Sequence, residues 1–229
     1  MLFGRELHPA TTVVASTDWI EPLLAGAGGT VGGLVPNQYE SYLRIFAPDA
    51  DPEPIDGDWW STYRQLFEVV ASIGAEHISS PQHAFYAIWE GHGFDSIVRS
   101  VAWKQEPIDA SERLAREQER ARVRSEGHRR AAAIRTELAR WPSFDLPNRT
   151  RYLFEGSVTA VANVRHPGSD SWCNPDLFWP DDQRWFVATD VDIWSLYVGG
   201  TRQLISELAQ SVPTRAEPIG LDAMIEMEH

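Results

Sequence analysis

The spacing of apolar residues predicts helices in the first third of the chain. Between Asn37 and Ala47, four apolar residues fall at i, i+3, i+4 and i+7, namely Tyr39, Tyr42, Leu43 and Phe46. This spacing predicts an amphipathic helix over 37–47. A second helix is predicted over 58–73, because Asp58 can cap its first turn and Gly74 follows its last. Its apolar face is formed by Trp59, Tyr63, Leu66, Phe67 and Val70.

Strand patterns dominate the last third of the chain. Residues 83–90 are apolar at both odd and even positions, which is typical of an interior strand. Further strands are predicted over 151–161, 184–190 and 195–198, the last two forming a hairpin. A final helix is predicted over 201–211. Helices followed by strands at hairpin spacing predict an α+β fold with a mainly antiparallel sheet covered by helices.

Residues 110–141 differ in composition from the rest of the chain. They contain nine Arg and five Glu, a local charge of +4, and many of these residues stand at helical i, i+3 or i+4 spacing. The segment therefore predicts a long charged helix. Its second half has an apolar stripe and is expected to dock, whereas the first half is expected to project, with a break near Gly127. The stripe consists of Ala131, Ile134, Leu138 and Trp141.

These patterns predict three parts along the chain. Residues 1–34 form an N-terminal segment that ends in a glycine-rich linker, 35–212 form a single α+β domain containing the helical insertion 110–141, and 213–229 form a C-terminal tail. Closely spaced glycines can also cradle a phosphate, but this run lacks the lysine of a P-loop and has Val31 where a dinucleotide fingerprint needs glycine.

Charge and composition narrow the classes of function. The 229 residues carry 20 basic and 33 acidic side chains, a formal net charge of −13, so the chain outside 110–141 has a charge of −17. Such a body repels nucleic acid and anionic membranes. The one cysteine, Cys173, excludes an internal disulfide framework and a cysteine-based zinc site. No run reaches the length of a membrane helix, so a cytoplasmic protein is expected, with no membrane partner and no cofactor.

Two polar pairs follow predicted strands and are candidates for chemistry. Glu90 and His92 are two residues apart, as are Asp190 and Asp192, so in extended geometry each pair points to one side. If the strand ends are neighbours, the four side chains can form a small-molecule enzyme site or a site for a divalent metal. The alternative interpretation is ordinary turn chemistry. Neither a metal ligand set nor a catalytic residue is assigned from this pattern.

A cysteine nucleophile with a histidine base is a second chemical candidate. Cys173 and His166 lie in a loop without a nucleophile-elbow motif, so a packed loop thiol is the preferred interpretation.

Aromatic residues beside aspartates suggest a binding surface within 172–194. Tryptophan is common at interaction hot spots and aspartate supplies charge complementarity, so a protein partner, of basic character, is predicted there. The alternative is that these aromatic side chains pack in the core. The predicted contact residues are Trp172, Phe178, Trp179, Asp181, Asp182 and Trp194.

Five segments resemble the motifs of a widespread bacterial family of uncharacterised proteins. The motifs of that family are Trp-Glu-Gly-x-Gly and a late Trp-Pro-x-Asp…Ala-Thr-Asp-x-Asp…Tyr-Val-Gly-Gly signature, and the resemblance implies no activity. The matching segments are VPNQYESYLRIFAP (35–48), FYAIWEGHG (85–93), RYLFEGSV (151–158), LFWPDDQRWFVATDVD (177–192) and YVGGTRQLI (197–205).

The order of elements is also similar to that of the SUKH-like immunity superfamily, in which an early Pro-x-x-Tyr helix precedes a twisted antiparallel sheet. That likeness implies toxin binding without catalysis. The sequence as a whole thus predicts a non-catalytic protein-binding module of immunity type. The alternative is a small-molecule enzyme or metal-dependent binder at the two polar pairs. A homodimer through helix 110–141 is a further expectation.

Overall fold

The computed structural model describes residues 6–26, 29–47, 58–92, 109–147, 149–166, 171–190 and 193–225. The chain divides into two compact units, a larger one formed by Met1–Trp89 with Pro142–His229 and a smaller one formed by Glu90–Trp141. The strands are β1 His8–Pro9, β2 Ser41–Phe46, β3 Ala84–Trp89, β4 Ser143–Leu146, β5 Arg149–Gly156, β6 Leu177–Pro180, β7 Phe186–Asp190, β8 Ile193–Gly200 and β9 Ala216–Pro218. The helices are α1 Val13–Thr17, α2 Asp58–Glu76, α3 Ala110–Leu138 and α4 Arg202–Ser211.

The larger unit is built on one antiparallel sheet. Its strand order is β1-β5-β3-β6-β7-β8-β2-β9, with β4 also paired to β5. Every strand pair runs antiparallel, including the β7–β8 hairpin. The predicted α+β fold with a mainly antiparallel sheet is therefore confirmed.

Both faces of the sheet are covered, which explains why its central strands are apolar throughout. Helices α2 and α4 cover one face, where the Trp185 indole donates a hydrogen bond of 3.0 Å to the Gly74 carbonyl and the Tyr63 hydroxyl lies 3.0 Å from that of Thr189. The N-terminal segment covers the other face with buried side chains such as Ile20 and Val35. The core therefore has two layers, one on each side of the sheet.

The helix predicted over 37–47 is wrong, because this segment contains strand β2. β2 lies between β8 and β9, and Leu43 and Ile45 are buried within the sheet. Four of the six residues of β2 are apolar, because the strand is covered on both faces, and with Tyr39 these residues also matched the helical spacing. Tyr39 lies before the strand and packs against Gly199, where a Cβ atom would approach the Tyr39 ring to 2.5 Å.

Other element boundaries also differ from the sequence prediction. Strand β6 occupies 177–180, which was expected to be loop, and Gly199 and Gly200 end strand β8. The strand predicted over 151–161 stops at Gly156, because a 3-10 helix occupies Val158–Asn163. Helix α2 covers the predicted 58–73 but continues through Gly74 to Glu76, so the predicted end is wrong, whereas α4 agrees with the helix over 201–211.

The glycine-rich segment and the C-terminal residues are hydrogen-bonded to each other. Val31 donates to the Ala223 carbonyl at 3.0 Å, Gly32 donates to the Leu221 carbonyl at 2.8 Å, and the Val31 side chain is wholly buried. The sequence led us to expect a linker and a tail at these positions. In the structure, the two segments close one side of the core together.

The smaller unit contains helix α3. Asp109 caps this helix by accepting a hydrogen bond of 2.8 Å from the Glu112 backbone, and the helix continues through Gly127, so the predicted break there is wrong. A glycine costs a helix only about 1 kcal/mol relative to alanine, which a long helix can tolerate. Within the described ranges, no helix is both long and apolar enough to cross a bilayer.

Candidate functional site

Two of the aromatic residues predicted on a binding surface lie in the interior. Phe178 and Trp179 are respectively 0% and 1% exposed. The Trp179 ring stacks on Phe85 and Phe186 at 5.7 and 5.5 Å, and Phe178 stacks on Tyr86 at 4.7 Å on the opposite face. Because they belong to β6, which is covered on both faces, neither side chain can contact a partner. The surface prediction is wrong for these two residues.

Trp172 and Trp194 are half-buried. The Trp172 indole donates to the Val161 carbonyl at 2.9 Å, and its ring lies edge-on to Tyr63 and Phe67. Trp194 is the second residue of β8, and its carbonyl accepts a hydrogen bond of 2.9 Å from the Ala47 amide. The contacts of the Trp172 side chain are therefore packing contacts.

Asp181 and Asp182, by contrast, are exposed in the turn that joins β6 to β7. The Asp182 carboxylate accepts hydrogen bonds from the Ser79 backbone and hydroxyl at 3.1 and 3.2 Å and from the Arg184 backbone at 3.3 Å. Gln183 has a positive φ of 55°, a left-handed conformation uncommon for a residue other than glycine. The hydrogen bonds to Asp182 hold this tight turn in place.

Further carboxylates lie at the same end of the sheet. Gly156 and Pro180 both pair with Ala84, so the end of β5, the end of β6 and the start of β3 are neighbours. This register places Glu155 beside the Asp181 turn, and the start of β2 brings Glu40 to the same end, next to the end of β8. We call this the acidic strand-end surface, and we define it by Glu40, Glu155, Asp181 and Asp182.

A histidine lies between two of these carboxylates. His83 Nε2 is 3.7 Å from Glu155 Oε2 and His83 Nδ1 is 3.6 Å from Asp181 Oδ2, with the imidazole against the Phe85 ring. The His83 side chain is 44% exposed, so solvent reaches this group. Among the described residues, no cluster of three or more His, Cys, Asp or Glu side chains has the geometry to hold a metal ion.

A small cleft of about 270 Å³ opens on the acidic strand-end surface. Its lining includes Glu40 and Asp182, and Glu40 also accepts a hydrogen bond of 3.3 Å from the first backbone amide of α4. Burial raises the pKa of the Tyr39 phenol, so this hydroxyl stays protonated. The remaining lining residues are Gln38, Gln183, Arg184, Gly200 and Thr201. Three of the motif segments noted in the sequence, 35–48, 177–192 and 197–205, thus meet at one cleft.

The opposite end of the sheet holds an ionic cluster formed by the buried Arg151 and Asp176 and the half-buried Arg149 and Asp190. Arg149 Nη2 lies 2.6 Å from Asp190 Oδ1, and its guanidinium stacks over the Trp89 ring at 4.4 Å. Asp176 accepts a hydrogen bond from the Trp89 amide. Burial lowers the pKa of Arg151, which is 6% exposed. The sequence indicated only one of these four residues, Asp190.

The alternative polar site is only partly described. Glu90 and His92 lie in the 3-10 helix Glu90–His92, so the extended geometry that would point both to one side is absent. Asp190 ends β7 in the larger unit and is ion-paired with Arg149, whereas Asp192 lies outside the described residues. The Asp190 carboxylate is therefore already paired with a cation of the larger unit.

Cys173 is a buried thiol. It is 1% exposed, its backbone donates to the Val164 carbonyl at 3.2 Å, and burial raises the pKa of the thiol, which opposes the reactive thiolate. This environment favours the packed-thiol interpretation over a nucleophile.

We expect Cys173 to resist a chromogenic disulfide reagent in the native protein and to react with one equivalent after unfolding in guanidinium chloride. Absorbance of the released thiolate measures both states. Rapid stoichiometric reaction of the folded protein at neutral pH would contradict the buried assignment.

Comparison of the chain with models of protein families, with curated proteins and with solved structures gave no match. The resemblance of its motifs to a bacterial family, and the likeness to the SUKH-like immunity superfamily, therefore stay predictions.

Proposed function

We propose that the protein is a non-catalytic binding module that recognises a basic protein through the acidic strand-end surface. The observation that carries this proposal is that four carboxylates, one near the end of strand β5 and three in two separate loops, lie at the same end of the sheet. Asp182 and Glu40 are already held by backbone hydrogen bonds, so little side-chain entropy is lost when a cation binds. Their remaining lone pairs can accept hydrogen bonds from lysine or arginine.

The charge of the chain supports a basic partner. Residues outside 110–141 carry −17, and such a field accelerates the approach of a cationic protein and disfavours anionic ligands. The cleft beside Tyr39 can accept one long side chain of the partner. Toxin neutralisation of the immunity type is a biological role that fits this charge complementarity, although the early helix of that superfamily is replaced here by strand β2.

The alternative function, an enzyme or metal-dependent binder, has less support. It needs Asp190 as a free carboxylate, yet Asp190 is neutralised by Arg149 at 2.6 Å. It also needs Glu90 and His92 in extended geometry, which the 3-10 helix does not provide.

We expect the double variant Glu40→Arg/Asp181→Arg to bind poly-L-lysine about tenfold more weakly than the parent, because each exposed charge pair changes affinity several-fold and reversal adds repulsion. The affinity can be measured by titration calorimetry at about 0.15 M salt, where distant charges are screened and close pairs still act.

The matched control is Glu68→Arg/Asp145→Arg. It changes the net charge by the same amount, but Glu68 lies on α2 and Asp145 lies on β4 at the opposite end of the sheet. The control is expected to lose much less affinity. Equal losses in both variants would show that net charge alone drives binding and would overturn the proposed surface.

A further inference from the structure

Three arginines on helix α3 form an exposed stripe. Arg113, Arg120 and Arg124 are spaced by seven and four residues, so they lie on one side of the helix. All three are exposed, and none of them forms an ion pair with any residue that the structure describes. We call these three residues the arginine stripe.

The other charges of the helix do not neutralise the arginine stripe. Glu112 is paired with Arg116 at 2.6 Å. Glu119 and Glu126 are both paired with Arg122, at 2.6 and 2.8 Å. Between residues 113 and 124, one carboxylate, Glu117, lies on the same side as the stripe, which leaves three cations against one anion along this part of the helix. The stripe therefore has an excess of guanidinium groups available to an acidic surface.

The protein itself carries an acidic surface of the required chemistry. The acidic strand-end surface exposes Glu40, Asp181 and Asp182 from two loops, with the Glu155 carboxylate of β5 partly exposed beside them. Every copy of the chain carries both this surface and the arginine stripe. Two copies repel each other through their net charge of −13, but at about 0.15 M salt this long-range repulsion is screened beyond roughly 8 Å. Ion pairs at contact distance are screened less. A nucleic acid is a less suitable partner, because its phosphates would be repelled by the rest of the chain, which has a formal charge of −17 outside 110–141.

We propose that the arginine stripe of one copy binds the acidic strand-end surface of a second copy. This inference rests on the proposed function only in that both use the same acidic surface. The self-complex is weak, because exposed ion pairs contribute little individually, and a basic partner displaces it. The stripe of one copy thus competes with weak, non-specific cations for the acidic strand-end surface of another copy. A basic protein with better complementarity displaces the stripe.

The test is sedimentation velocity of the full chain over a range of protein concentrations at about 0.15 M salt. The parent is expected to show a concentration-dependent increase in sedimentation coefficient. Arg113→Glu/Arg120→Glu/Arg124→Glu is expected to raise the dissociation constant about tenfold or more, since three ion pairs are each reversed. The matched control Arg129→Glu/Arg130→Glu/Arg140→Glu has the same net charge, and its substitutions lie outside the stripe, two near the end of α3 and one in the turn that follows the helix. It is expected to associate more strongly than the stripe variant.

The most decisive experiment mixes two variants in which opposite surfaces have reversed charge. The stripe variant and Glu40→Arg/Asp181→Arg carry complementary reversals, so a mixture of the two is expected to form mixed dimers, while each alone stays monomeric. A monomeric parent, equal behaviour of both triple variants, or no association in the mixture would each overturn the proposal, as would a dimer that persists in 1 M salt. Binding of duplex DNA by a monomeric parent, lost in the stripe variant, would assign the stripe to nucleic acid instead.

The two proposals can fail separately. Loss of self-association with poly-L-lysine binding intact would remove only the role of the stripe. Intact self-association, with Glu40→Arg/Asp181→Arg and its control binding poly-L-lysine alike, would remove only the basic protein partner.

Discussion

Trp179→Ala is expected to lower the free energy of unfolding by about 3–5 kcal/mol, the range for truncating a large aromatic side chain in a packed core. The ring is 1% exposed and contacts Phe85, Phe186 and Trp19 from three different segments. Its removal leaves a cavity that β6 and the neighbouring strands cannot fill without shifting their hydrogen-bond register. Equilibrium unfolding in urea, followed by far-UV circular dichroism, measures the change.

Two comparisons identify the cause of that loss. Trp179→Phe keeps an aromatic ring against the same neighbours and is expected to cost less than Trp179→Ala. Asp182→Asn, next to the same strand but exposed, is expected to cost under about 1 kcal/mol, because the amide can still accept hydrogen bonds from the turn. A stability change below about 0.5 kcal/mol for Trp179→Ala would place the indole on the surface, as the sequence predicted.

Asp176→Ala is expected to lower the free energy of unfolding by a similar amount, about 3–5 kcal/mol, because it leaves a buried cation with less compensation. Asp176 is 2% exposed, and its negative charge favours the charged form of Arg151, which is itself buried. The variant also removes the acceptor of the Trp89 amide. Urea unfolding near pH 7 gives the difference.

The double variant Asp176→Ala/Arg151→Met distinguishes the loss of charge compensation for Arg151 from the loss of packing by the Asp176 side chain. A buried ion pair replaced by apolar side chains often costs little, so the double variant is expected to be more stable than Asp176→Ala alone. If the free-energy losses of Asp176→Ala and Arg151→Met add up to the loss of the double variant, Asp176 acts through its backbone neighbours and not through the guanidinium of Arg151. Asp176→Asn, which keeps the acceptor for Trp89, is expected to fall between the parent and Asp176→Ala.

The parts of the fold that depend on local pattern could be predicted from the sequence. Helix α2 buries Tyr63, Phe67 and Val70 on one face, as their spacing indicates. The β7–β8 hairpin and strand β3 also agree, because short turns and apolar runs are local signals. Strand β2 could not be identified in this way, since its partners β8 and β9 are distant in sequence and the local spacing matched a helix.

The candidate site was only partly predictable for the same reason. Asp181 and Asp182 are exposed in a turn, which their sequence indicated, but the aromatic residues before them belong to a four-residue strand buried on both faces. A short buried strand and an aromatic loop have the same local composition. His83, Glu155 and Glu40 come together only through the register of β3, β5 and β2, which no local pattern specifies.

The place of β2 within the sheet also constrains how the protein folds during synthesis. Ser41 pairs with Gly200 and Phe46 with Ser195, so the partners are 159 and 149 positions apart in the chain. Strand pairs that are so far apart in sequence form slowly, because the entropy cost of closing the long loop arises before the stabilising contacts form. The ribosome therefore releases β2 long before β8 and β9 exist. Until then, its apolar side chains and backbone groups lack their native partners, and transiently exposed strands of this kind are prone to aggregate.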